Sequence, residues 1–179
     1  MLDAGEQLFA ERGFRAVSMD EIAEASGITK ALLYQYFGSK EELYVACVER
    51  GRARLFEHLE RAAAEAPDPP ARLRVVATGY FDYLAGQRGN KWILYGDASM
   101  DAINEMRRRN AEVIARLIRG ALNGTRVPED RIAFLGHMIV GAGEQIGRWW
   151  LDHEELPKER VTEHFVNATG AAIGSVLGA

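Results

Sequence analysis

Along the whole chain hydrophobic side chains recur three and four residues apart, and no stretch alternates in the two-residue rhythm of a strand. Such a pattern folds as helices that each bury one stripe, so an all-α architecture is expected. Local punctuation sets the boundaries. Residues 2–12 form a first helix ended by Gly13. Ser18 opens a second, with Glu21 three residues on: a capping box, in which each side chain satisfies an orphan backbone donor. That helix ends at Ser26-Gly27. Thr29 is a good N-cap for a third helix running to Phe37 and stopped by Gly38. Ser39 with Glu42 predicts a second capping box, opening a long fourth helix that reaches about Ala66. Pro67, Asp68, Pro69 and Pro70 then break the chain.

A fifth helix follows, with Leu73, Val76, Ala77, Tyr80, Phe81 and Leu84 on one face. Residues 87–90 read as a turn and 92–95 as a short segment leading to a helix over roughly 100–122. That helix turns Ile103, Met106, Val113, Ile114, Leu117 and Ile118 inward. After a turn at 124–128, two final helices run near 129–153 and 158–177, separated by Glu155-Leu156-Pro157.

Hydrophobic residues make up 47% of 179, enough for a core without disulfides or a structural metal. The single cysteine, Cys47, rules out an intramolecular disulfide and a cysteine-based zinc site, which suits a reducing cytoplasm. Beside Val45, Ala46 and Val48 it reads as a buried structural thiol and not a redox sensor. No apolar run approaches the ~20 residues of a membrane span. The N-terminus, with Leu2, Leu8 and Phe9 among Asp3, Glu6 and Glu11, reads as an amphipathic helix and not a signal peptide. His58, His137, His153 and His164 are scattered without metal-ligand spacing, and there is no Gly-rich phosphate loop or nucleophile motif. An enzyme is therefore not expected, nor a cofactor or a metal.

Two short helices joined by a tight turn near Gly27 have the geometry of a DNA-binding helix-turn-helix, whose second helix enters the major groove while the first braces it. The spacing alone is common in ordinary helix pairs. The string Gly27-Ile28-Thr29-Lys30-Ala31-Leu32-Leu33-Tyr34-Gln35-Tyr36-Phe37-Gly38-Ser39-Lys40-Glu41-Glu42-Leu43 is more specific, and strongly resembles the recognition-helix signature of the TetR family. Upstream, Ser18-Met19-Asp20-Glu21-Ile22-Ala23-Glu24-Ala25-Ser26-Gly27 and Phe9-Ala10-Glu11-Arg12-Gly13-Phe14 resemble it too. The match covers roughly residues 2–46; the rest matches only in its all-helical plan. The resemblance implies a three-helix DNA-binding head over residues 1–46 and a helical ligand-binding and dimerisation domain over 47–179. It further implies a homodimer that binds a palindromic double-stranded DNA operator and is released by a small-molecule effector.

Residue chemistry fits that reading. Leu33 and Phe37 face back onto Ile22, Leu8 and Phe9, while Lys30, Ala31, Tyr34 and Gln35 point outward. Lys30 and Gln35 suit base edges or phosphates, and Ala31 is small enough to let the helix sink into the groove or touch a thymine methyl. By resemblance to the family, Tyr34, Tyr36 and Lys40 clamp phosphates. Ser18 and Thr29 sit at helix N-termini that suit a phosphate, with capping alone the equal alternative; for Tyr36 the alternative is partial burial. Against this, no basic stretch precedes the first helix, as it usually does in the family. Residues 1–50 also hold 5 Lys/Arg against 9 Asp/Glu, a net of −4. Counterion release drives much of DNA affinity, so weak binding, a natural start further upstream, or a head that meets proteins instead of DNA are the readings this charge leaves open.

In the body, the last two helices are the expected dimer interface, with an ordinary intramolecular core as the alternative. They mix small residues (Gly136, Gly141, Ala142, Gly143, Gly147, Ala168, Gly170, Ala171, Ala172, Gly174) with the bulky Leu135, Ile139, Phe165, Val166 and Ile173. An effector cavity is expected among aromatic and Met residues: Tyr80, Phe81, Tyr83, Trp92, Tyr95, Met100, Met106, Phe134, Met138 and Trp149. Each of these has plain core as its alternative. Polar residues on apolar faces, namely Asn110, His137, Glu144, Gln145 and Arg148, are the candidates to orient a ligand's polar end. His137, Glu144 and Arg148 repeat at helical period and could also pair with each other or across a dimer. The effector expected from this set is mostly hydrophobic with one or two polar groups.

Overall fold

The computed structural model describes residues 1–86, 101–122, 126–153 and 155–178. They form eight helices and no strand: α1 Leu2–Ala16, α2 Met19–Ala25, α3 Lys30–Phe37, α4 Lys40–Glu65, α5 Pro69–Gly86, α6 Asp101–Ala121, α7 Glu129–Leu151 and α8 Lys158–Leu177. Among them, no helix is long and apolar enough to cross a membrane. The segments at 87–90 and 92–95, with Met100, lie outside the described residues.

Local chemistry accounts for most boundaries. Gly13 breaks α1 with φ 76, a left-handed conformation costly for a residue with a Cβ, and the chain adds one more turn to Ala16. Both arms of the Ser18–Glu21 box are made. Of the second box only half forms: the Ser39 hydroxyl accepts from the Glu42 amide at 3.1 Å. The Ser39 amide donates to the Phe37 carbonyl instead.

Three apolar clusters hold the helices. The head cluster joins Phe9, Ile22, Leu33, Leu43, Tyr44, Cys47 and Val48 from α1–α4 with Ile103 and Met106 of α6. The head's core therefore runs past residue 46, into α4, and borrows the first turns of α6. A second cluster packs Ala77, Phe81 and Leu84 of α5 against Trp150 of α7 and Phe165 of α8. A third joins Ile114 and Ile118 of α6 with Ile132 and Leu135 of α7. Helix α4 serves both ends: Leu43 to Val48 lie in the head, while Leu55, Leu59 and Ala63 are buried further along. Gly79 of α5 approaches so closely that an added Cβ would stand 3.0 Å from the Leu59 side chain.

Cys47 is fully buried. Burial, and secondarily the Glu6 carboxylate, pushes its thiol up to about 12, leaving almost no nucleophilic thiolate at neutral pH. The folded protein is expected to resist iodoacetamide, whereas the chain in guanidinium reacts fully; intact-mass spectrometry distinguishes the two.

Candidate DNA-binding face and effector cavity

The turn between α2 and α3 is built by Gly27, whose φ of 67 only glycine adopts without strain. The Ile28 amide then donates back to the Ala23 carbonyl at 3.1 Å, closing the corner. Leu33 is fully buried and Phe37 packs beside it. That anchoring sets the rotation of α3. Lys30, Ala31, Tyr34 and Gln35 are left exposed on one side, with Tyr36 also exposed, at 65%. The partial burial considered for Tyr36 is not observed.

The polar groups around this face are partly engaged. Lys30 Nζ lies 2.8 Å from the Asp20 carboxylate. This exposed pair is screened by salt, and exchanging it for a phosphate costs little. Lys40 Nζ donates to the Val17 carbonyl at 2.7 Å and stands 4.4 Å over the Phe14 ring. It ties the start of α4 to the α1–α2 corner, with two N–H donors still available. Ser18 is committed to its cap: the hydroxyl accepts from the Glu21 amide and donates to the Glu21 carboxylate at 2.7 Å. Hydrogen bonds from Ser18 and then from Arg12 pull the Glu21 carboxyl down to about 2. The exposed Thr29 hydroxyl accepts from the Leu32 amide at 3.2 Å.

In the body, α4–α8 line a small cavity of about 70 Å³ whose walls include Arg52, Tyr80, Tyr83, Asn110, Gly143 and Glu144. Val76, Ile114 and Ile139 are shared with a larger, mostly apolar cavity of about 480 Å³ between α5, α6, α7 and α8. Glu144, 9% exposed, accepts from Arg52 Nη2 and, at 2.8 Å, from Arg107 Nε. One buried carboxylate thus joins α4, α6 and α7. Tyr80 donates to the Gly143 carbonyl at 2.9 Å, and burial raises its phenol well above the usual range. Tyr83 donates to the Gly51 carbonyl at 3.1 Å.

The expected ligand residues are divided by this arrangement. Tyr80, Asn110 and Glu144 line the small cavity. Arg148 acts electrostatically on Tyr80. Met106 does not join them: it sits at the head end of α6, buried in the head cluster. Met138 packs against the α6–α7 cluster. His137 is exposed in a surface groove with Glu112 and Arg116. It shares a helical stripe with Glu144, but seven residues advance the helix by about 10 Å, and the stripe meets different neighbours at its two ends. Trp92 and Tyr95 lie outside the described residues.

Phe134 and Trp149, expected in the cavity, are 58% and 46% exposed. Conversely, Leu135, Phe165 and Val166, expected at the dimer interface, are buried within the chain. Gly136 belongs inside as well, since an added Cβ would lie 2.4 Å from the Ala111 carbonyl oxygen. Arg52 and Arg107 were not singled out from the sequence. The signal for Arg52 was present: it is a charged residue four after Val48 and three before Leu55, on an otherwise apolar stripe of α4.

Comparison with known proteins gives two family matches, "Bacterial regulatory proteins, tetR family" over residues 1–47 and "Tetracyclin repressor-like, C-terminal domain" over 69–171. The transcriptional activator FasR of Mycolicibacterium smegmatis is 38% identical over 84 residues, covering 47% of this chain and 38% of its own. The chain thus spans well under two thirds of that relative's length, and 39% of that of a Mycobacterium tuberculosis regulator 41% identical over 78 residues. A TetR-like regulator from Rhodococcus sp. RHA1 superposes with a TM-score of 0.71 at 28% identity, covering 97% of this chain and 93% of its own. Bacillus subtilis FadR, solved in complex with stearoyl-CoA, shares the fold at 17% identity with a TM-score of 0.72, over 98% of this chain and 95% of that one.

Proposed function

The chain belongs to the tetR family of bacterial DNA-binding transcriptional regulators, and from that premise we propose that it is a homodimeric repressor released from a palindromic operator by a mostly hydrophobic small molecule. The observation that carries the reading is the rotation of α3: Leu33 inward, with Lys30, Ala31, Tyr34 and Gln35 outward on a helix held by the head core. In the complex, Lys30 and Gln35 meet base edges or phosphates, Ala31 lets the helix approach, and Tyr34, Tyr36 and Lys40 hold the backbone. The N-termini at Ser18 and Thr29 add their helix dipoles. A regulator acting on chromosomal DNA works in the bacterial cytoplasm.

The apolar cavity supports a hydrophobic effector, as does the stearoyl-CoA bound by the Bacillus subtilis FadR. Release follows from α4, which is shared by head and body. An effector that favours one arrangement of the body tilts α4 and changes the spacing of the two recognition helices, which must sit about 34–36 Å apart to span one DNA turn. The relative named an activator, FasR, makes the sign of regulation a matter for direct test.

That test is selection of binding sites from random duplex DNA, followed by affinity measurements across salt and transcription from a promoter carrying the selected site. A palindrome, a negative slope of log affinity on log salt and reduced transcription are expected. Stimulated transcription would overturn the repressor assignment. Failure to enrich any site, repeated with a basic N-terminal arm added, would favour a protein-binding head, the reading its net charge of −4 motivates.

The dimer face proposed on α7 and α8 is the exposed stripe Phe134, Gly141, Gln145 and Trp149 beside Ala168 and Ala171. Phe134→Glu combined with Trp149→Glu is expected to yield a folded monomer by sedimentation velocity, since both rings are solvent-facing in the single chain.

A further inference from the structure

We infer that the small inner cavity is the head-group end of the effector site, and that it receives a carboxylate carried on an apolar chain through Asn110 Nδ2 and Arg52 Nε. This inference rests on the effector reading above and specifies the ligand's chemistry. Asn110 is 7% exposed and Arg52 6%, and neither of these nitrogens has a hydrogen-bond partner among the described residues. Buried polar groups are normally paired, because an unmet donor forfeits its hydration. Both unmet groups are donors, so the complementary ligand atom is an acceptor.

Charge narrows the choice. Among the described residues, the guanidiniums of Arg52 and Arg107 share one carboxylate, Glu144, as their ion-pair partner. An excess of positive charge in a poorly hydrated site favours an anion and opposes an amine. The remainder of the ligand is inferred from the larger cavity that adjoins the small one. Val76, Ile114 and Ile139 border both cavities, and the outer one, about 480 Å³, offers mainly aliphatic surface. In this inference a straight hydrocarbon chain passes between these three shared side chains into the outer cavity.

Arg52 also gives the site a route to the head. It lies one turn beyond Val48 of the head cluster and bonds Glu144 of α7. A ligand carboxylate at Arg52 competes with Glu144 and loosens α4 from α7, the motion that operator release requires. The opposite orientation, with the chain inward and the carboxylate outward, would use Arg74 at the wall of the outer cavity.

The probes are decanoate, its shorter and longer straight-chain homologues, and decylamine, titrated calorimetrically into the full-length protein. At least one carboxylate is expected to bind and decylamine not to. Asn110→Leu is expected to weaken carboxylate binding about tenfold or more without lowering the melting temperature, since leucine replaces a donor that has no partner among the described residues. Arg74→Ala should leave binding within about twofold, far from the tenfold expected of a lost charge-assisted hydrogen bond. Absence of binding by every carboxylate, equal binding by decylamine, full affinity in Asn110→Leu, or a loss confined to Arg74→Ala would each overturn the inference. Operator release is read in parallel with neutral apolar compounds included. Release by those alone overturns the carboxylate assignment and leaves the effector reading, whereas carboxylate binding without release does the reverse.

Discussion

Glu144→Ala is expected to destabilise the protein by about 3–5 kcal/mol, the range measured when one partner of a buried ion pair is removed. Glu144 is 9% exposed and joins three helices by accepting from Arg52 and Arg107. Without it the buried Arg52 guanidinium keeps a desolvation cost that the carboxylate had offset, and the partly buried Arg107 loses its ion-pair partner. With typical domains stable by only about 5–15 kcal/mol, the urea midpoint by circular dichroism should fall by a large fraction. Glu144→Gln should fall between, since the amide keeps one acceptor but no charge. Replacing Arg52, Arg107 and Glu144 together by Met, Met and Leu should recover most of the loss, because an apolar core of similar volume carries no unpaired charge. An unchanged midpoint in Glu144→Ala would mean that the arginines reach solvent and that α4 is held to α7 by apolar packing alone.

Ala31→Glu is expected to weaken operator binding on the order of 100-fold or more while leaving thermal stability within about 0.5 kcal/mol. Ala31 is exposed, flanked on its face by Lys30, Tyr34 and Gln35, and takes no part in the head cluster. A carboxylate there meets phosphates and base acceptors with the wrong sign, and it does so twice in a dimer. The lost counterion release should also flatten the salt slope. Ala31→Ser, similar in size and uncharged, should retain most of the affinity. Electrophoretic mobility shift on the selected site, with melting curves on the same samples, separates a grip on DNA from a folding defect. Survival of tight binding in Ala31→Glu would show that this face of α3 does not enter the groove.

The head is legible in the sequence because its determinants are local. The Ser18–Glu21 box, the Gly27 corner and the four-residue step from Leu33 to Phe37 are interactions over a few residues of chain. The step fixes which side of α3 is buried and therefore which side is offered to DNA. Even here local spacing overreached at Ser39, where a shift of one backbone contact left only half of a box. It also said nothing of Lys40, whose partners Val17 and Phe14 are more than 20 residues away.

The body was legible only as helices, and the exchange on α7 shows why. Leu135 and Phe134 are equally apolar neighbours, yet one is fully buried and the other 58% exposed. Periodicity gives each residue an angle around its own helix, but the helix crossings decide which angle faces inward. The Gly136–Ala111 approach is such a crossing, and so is the Arg52–Glu144 bond across 92 residues. The all-α plan, the helix-turn-helix and its outward face follow from spacings of a turn or two along the chain. The cavity walls, the buried Glu144 and the outward turn of Phe134 and Trp149 were decided by the tertiary structure, because each depends on how helices distant in the chain are set against one another.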